Sequence, residues 1–122
     1  MPIEPRLLGM VILSGIAALL FGFGSTEASA GLVAAPWDKL AHIGVFALLT
    51  LALRLMLPRV PLTVIIGIGL SIAVADELNQ IWVPGRNPSW EDGAADMAGI
   101  ALGLLIWPLL TRRLSNATAC RT

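Results

Sequence analysis

One histidine, His42, and eight carboxylates are the groups in this chain that could move a proton or hold a ligand. Five of the carboxylates fall in a single stretch from Asp76 to Asp96, DELNQIWVPGRNPSWEDGAAD. Helical spacing sorts the polar groups into pairs. Asp38 and His42, and Asp92 and Asp96, stand at i, i+4, while Glu77 and Gln80 stand at i, i+3, and residues so spaced share a helix face. An imidazole titrates near neutrality and suits proton transfer. His42 and Glu77 are therefore the candidate general bases, with Asp96 as the orienting partner. Asp76 and Glu77 are neighbours and point about 100° apart on a helix. Glu77, which shares a face with Gln80, is expected to point inward. Asp38, Lys39, Gln80, Arg86 and Asp92 are the candidate ligand-binding groups. Arg86 lies in a Pro-Gly-Arg turn, where it could grip a phosphate or carboxylate through its planar fork or simply neutralise acidic helix ends.

Several of these residues also have a structural reading. Asp38 is placed to cap a helix that starts at Pro36-Trp37. Ser89-Trp90-Glu91-Asp92 fits a capping box, with Ser89 as N-cap and Asp92 at N3. His42 could be a buried histidine bonded to Asp38 or to a backbone carbonyl. Trp82 and Trp90 read as interface anchors rather than sugar platforms. Glu77, Asp92, Asp96 and His42 have the right atoms for a divalent cation, but one histidine and one cysteine supply no metal-ligand motif, and no metal site is predicted. There is no glycine-rich phosphate loop and no nucleophile between flanking glycines, so the sequence names no cofactor.

The elements that position these groups are membrane helices. Charged residues make up 13% of the 122 residues, against roughly 25% in soluble proteins, and the mean hydropathy is +0.83. So few charges cannot coat a water-soluble globule. The expected fold is all-α, a single domain over residues 1–122 with four transmembrane helices at about 7–23, 40–57, 62–80 and 90–110. A net charge of zero gives no footprint for nucleic acid. The single cysteine, Cys120, excludes an internal disulfide. Arg6 and Ala28-Ser29-Ala30 offer a rival reading of the first span as a cleaved signal peptide. Its apolar run exceeds the usual ~7–15 residues, which favours an uncleaved helix.

Small residues mark where helices should approach: Gly9, Gly15, Ala18 and Gly22 in the first span, Gly67, Ser71 and Ala75 in the third, and Ala95, Gly99 and Gly103 in the fourth. Gly24 to Trp37 reads as a loop, Pro58-Arg59-Val60-Pro61 as a tight break, and Pro84-Gly85 with Asn87-Pro88 as a turn. Arg54 is placed to snorkel, Pro108 is tolerable within a membrane helix, and the tail from Thr111 is expected to fray. With four spans, Arg6, Arg54, Arg59, Arg112, Arg113 and Arg121 share one side and Lys39 and Arg86 the other. Positive charge marks the cytoplasmic side, so both termini are expected there. The polar groups are then expected together on the outer face.

DKLAHIGVFALL at Asp38–Leu49 and DELNQIWVPGRNPSWEDGAADMAGIALG at Asp76–Gly103 resemble the VanZ-like family of small membrane proteins. Asp38, Lys39, His42, Asp76, Glu77, Gln80, Pro84, Gly85, Arg86, Asp92 and Gly99 match its pattern. Where this chain has Asp96, the family often carries asparagine. The resemblance implies a multi-spanning protein of the bacterial cytoplasmic membrane. The family's namesake gives low-level resistance to teicoplanin, a glycopeptide antibiotic. A place in the cell envelope is implied, rather than a particular reaction.

Three functions fit these residues. The first is binding of an anionic membrane lipid or lipid-linked cell-wall precursor, with Arg86 and Lys39 on the anion and Glu77, Gln80 and His42 orienting it. The second is an enzyme, a hydrolase or transferase acting on a lipid-linked phosphate. His42 or Glu77 would be its base and Arg86 would stabilise the developing negative charge. The third is a closed polar network that only fixes the helices.

Overall fold

The structure is a computed structural model that describes residues 4–26, 37–86 and 89–120. Helix α1 spans Pro5–Ala17 and runs on through a π-helical turn, Ala18–Gly22, and a 3-10 turn, Phe23–Ser25. Helix α2 spans Trp37–Met56, α3 Leu62–Gln80 and α4 Trp90–Ala119. No strand occurs among the described residues. Among the described residues, four helical segments of 21, 20, 19 and 28 residues are long and apolar enough to cross a membrane. At ~1.5 Å rise per residue the shortest reaches about 28 Å, close to the ~30 Å of a bilayer's hydrocarbon.

The bundle is apolar on both sides of its helices. Ile16, Phe46, Leu49, Leu53, Ile65, Ala73 and Ile100 form the core. Leu7, Val11, Leu48, Val74, Leu78, Leu105 and Leu109 face outward. Water would penalise that exterior, whereas lipid tails solvate it as well as the core does. The protein is an all-α bundle of four membrane-spanning helices.

Helix α2 is the centre of the bundle, packed most extensively on α4 and α1, with α3 lying against α4 and α2. Glycines set the closest approaches. A Cβ at Gly99 would stand 2.5 Å from the carbonyl oxygen of Ile43, and one at Gly103 2.8 Å from that of Ala47. Those contacts pair the start of α4 with the start of α2, so the two helices run parallel. Gly69 of α3 meets Ile100 of α4, and Asp76 lies beside Asp96, so α3 runs antiparallel to α4. The starts of α2 and α4 and the end of α3 therefore meet at one end of the bundle.

Several sequence expectations need correction. The Gly67, Ser71 and Ala75 face of α3 is exposed, and a Cβ at Gly67 would meet nothing within 4 Å. The packed face is Ile65, Gly69, Ala73, Asp76 and Gln80. In α1 only Gly9 makes a close approach, to Ala52 and Met56. Gly15 and Gly22 have open space around them, and Ala18 is exposed. Asp38 sits in the first turn of α2 rather than before it. Helix α4 does not fray at Thr111 but continues to Ala119, with Thr111 and Ser115 hydroxyls donating to the carbonyls of Pro108 and Arg112. Arg54 is held inside the bundle's other end, donating to the Val60 carbonyl at 3.2 Å and lying 5.5 Å from the Trp107 ring. The Pro58–Pro61 break stands between α2 and α3 as expected. The possible cleavage site at Ala28-Ser29-Ala30, Pro36, Asn87-Pro88 and Arg121 lie outside the described residues.

Candidate functional site

Parallel α2 and α4 and antiparallel α3 carry their polar residues to the same end, in two layers. The deeper layer is His42, Asp76, Gln80 and Asp96. His42 Nδ1 lies 2.7 Å from Asp96 Oδ1. Gln80 Nε2 donates to Asp76 Oδ2 at 3.1 Å, one helical turn along α3. Asp96 is 0% exposed and Asp76 1%, so both carboxyl groups are removed from solvent within the protein. One ligating atom from each of His42, Asp76 and Asp96 lies within 4.8 Å of the others.

The shallower layer is Lys39 with Asp38 and Asp92. Lys39 Nζ donates to Asp38 Oδ2 at 3.1 Å and to Asp92 Oδ1, tying α2 to α4. The capping geometry at the start of α4 forms as the sequence predicts, with the Asp92 N–H donating to Ser89 Oγ at 3.2 Å. The Asp92 side chain turns to Lys39 rather than back along its own helix. Asn79 Nδ2 donates to Ser25 Oγ at 2.7 Å, which fastens the end of α3 to the end of the first span.

Arg86 enters from the turn after α3. Its N–H donates to the Val83 carbonyl at 3.2 Å, and Gly85 before it has φ 83°, a left-handed conformation that favours glycine. Arg86 is half-buried, lies within electrostatic reach of Asp76, and its guanidinium makes no hydrogen bond or ion pair among the described residues. Trp82 and Trp90 stand at this end, 83% and 81% exposed, as interface anchors would.

One expectation about the site is reversed. Asp76, not Glu77, is the inward carboxylate of α3, because Asp76 and Gln80 continue the buried stripe through Gly69 and Ala73. Glu77 is half-buried beside the cluster. The available signal was the i, i+4 spacing of Asp76 and Gln80, as good a face-sharing relation as the i, i+3 of Glu77 and Gln80. His42 also finds Asp96 rather than Asp38. Of the eight candidate residues, Lys39 with Asp92 and His42 with Asp96 join α2 to α4 in two separate pairs, Asp38 bonds Lys39 on its own helix, Gln80 bonds Asp76, which lies close to His42 and Asp96, and Glu77 and Arg86 lie alongside.

The site has unspent bonding capacity. Asp38 Oδ1, Glu77 Oε1 and Asp96 Oδ2 are buried with no hydrogen-bond partner among the described residues, and such groups are normally satisfied. Five carboxylates, Asp38, Asp76, Glu77, Asp92 and Asp96, face two fixed cations, Lys39 and Arg86, and one imidazole. The arrangement can accept donors or positive charge in its depth and offers a guanidinium at its rim.

The same polar residues lie in the region covered by a family comparison. No curated protein and no solved structure matches the chain. The model of the VanZ/LLP1 family matches residues 6–111, which takes in the whole polar site and reaches from the first span well into the fourth. The chain is therefore a member of the VanZ/LLP1 family.

Proposed function

We propose that this membrane protein binds the headgroup of an anionic cell-envelope lipid or lipid-linked cell-wall precursor at the polar end of its bundle. The observation that carries this reading is Arg86, a half-buried guanidinium beside the cluster with no partner among the described residues. A planar cation of this kind grips phosphate or carboxylate through paired N–H donors. Lys39 is occupied by Asp38 and Asp92, so the anion falls to Arg86, while Lys39 holds the helices. The unsatisfied carboxylate oxygens suit hydroxyl or amine donors of a headgroup. A groove of about 210 Å³ between α3 and α4, lined by Ile66, Leu70, Met97, Ile100, Ala101 and Leu104, starts one residue past Asp96 and suits part of a lipid chain. With the termini cytoplasmic by charge, the site opens to the outer leaflet of the bacterial cytoplasmic membrane, where interference with glycopeptide action follows from the family's namesake.

A second reading is favoured by the His42–Asp96 pair. An imidazole held through Nδ1 by a buried carboxylate is the base-and-orienter arrangement of many hydrolases. Acting on a lipid-linked phosphate, it would activate water while Arg86 stabilised the developing charge.

The test is a panel of His42→Ala, Glu77→Gln and Arg86→Lys, scored for folded protein in detergent and for teicoplanin susceptibility in cells. The binding reading expects Arg86→Lys to fold normally and lose the phenotype. Loss of folding in all three would leave only a structural network. Turnover of a lipid-linked phosphate by wild type, abolished in His42→Ala, would favour the enzyme.

A further inference from the structure

We propose that His42, Asp76 and Asp96 form a binding site for one divalent transition cation, of the Zn²⁺ or Mn²⁺ class. The three ligands come from α2, α3 and α4, which is why no spacing motif in the sequence announces them. Of the four residues whose chemistry alone suited a cation, only His42 and Asp96 belong to the group, and Asp76 takes the place of Glu77 and Asp92.

The geometry is near that of a bound ion. Ligands about 2.1 Å from one ion stand about 3.4 Å apart in a tetrahedral shell, and about 3.0 Å (adjacent) or about 4.2 Å (opposite) in an octahedral one. His42 Nδ1 and Asp96 Oδ1 stand at hydrogen-bond distance, 2.7 Å, and would part by roughly half an ångström around an ion, while the full set spans no more than 4.8 Å and would draw in. Side-chain shifts of under about an ångström close it.

Charge supplies the independent argument. Asp76 and Asp96 are 1% and 0% exposed, and Asp96 Oδ2 is buried with no hydrogen-bond partner among the described residues. Two buried carboxylates beside one imidazole need compensation, because an unpaired buried charge is costly. A dication bound by neutral imidazole balances both carboxylates. A nitrogen and two carboxylate oxygens suit a borderline ion better than Ca²⁺ or Mg²⁺, which take oxygen shells. Three protein ligands leave coordination positions for water or a substrate oxygen. The site does not depend on lipid binding, and the two ideas fail separately because the test uses no lipid ligand.

The test is to strip purified, tag-free Cys120→Ser protein in detergent with chelator, then titrate Zn²⁺ and Mn²⁺ by calorimetry, with Mg²⁺ and Ca²⁺ as controls. One equivalent of Zn²⁺ or Mn²⁺ per chain is expected. Asp96→Asn and Asp76→Asn should weaken it by more than about tenfold, while Glu91→Gln, at an exposed position on α4, leaves it unchanged. Absence of stoichiometric binding, or binding in the two aspartate variants as tight as in wild type, would overturn the proposal. If those variants fail to fold, pulsed electron paramagnetic resonance of wild-type protein with Mn²⁺ decides. Coupling to an imidazole nitrogen is expected, and its absence at full occupancy would overturn the site.

Discussion

Asp76 and Glu77 are one residue and about 100° of helix rotation apart, and that rotation decides which carboxylate the bundle depends on. Asp76 is buried against Gln80, next to Asp96 and His42, whereas Glu77 keeps partial exposure. Replacing a buried, hydrogen-bonded charged group disrupts its whole neighbourhood. Asp76→Ala leaves the buried Gln80 amide without its acceptor and is expected to cost about 1–3 kcal/mol, and Glu77→Ala to stay within about 1 kcal/mol. Denaturant unfolding in mixed micelles measures both, and a larger loss at Glu77 would restore the face first expected from the sequence. The participants were legible because ionisable residues in apolar helices are few and face inward. The pairing was only partly legible. The sequence set Asp96 as orienting partner to either His42 or Glu77, and the parallel packing of α2 and α4 selects His42.

The same choice of face recurs at the scale of the helix. Spacing in the sequence points to a contact face of α3 through Gly67, Ser71 and Ala75, but the helix packs through Gly69, Ala73 and Asp76. In a soluble helix a polar stripe would have shown the outside. Here lipid and core are equally apolar, so both faces carry Ile, Leu and Val and periodicity loses its meaning. In α4 the stripe Ala95, Gly99, Gly103 has the same spacing and does pack, with Gly99 and Gly103 against the backbone of α2. Gly99→Ala and Gly103→Ala are expected to push α4 off α2 and to destabilise by about 1–3 kcal/mol each. Gly67→Ala, with open space around it, should be neutral or gain up to about 1 kcal/mol from helix propensity. Thermal unfolding in detergent checks the contrast, and equal effects at Gly67 and Gly99 would contradict the packing described.

For the whole molecule, four membrane spans were legible from apolar length, and their ends from prolines and Ser89. The continuation of α4 to Ala119 was not, because a polar, basic segment reads as a tail whether or not it stays helical. Arginine placement sets an expectation for sidedness that is open to direct test. In a Cys120→Ala background, Thr26→Cys is expected to react with an impermeant thiol reagent from outside the cell and Ser115→Cys to be protected. The reverse labelling would turn the site toward the cytoplasm. The central claim, that the polar end of this bundle holds a ligand, is tested most directly by native mass spectrometry of protein released gently from membranes. Wild type is expected to retain one anionic lipid per chain and equally well-folded Arg86→Lys to lose it. Bare wild-type protein, or the same lipid held by both, would contradict the claim.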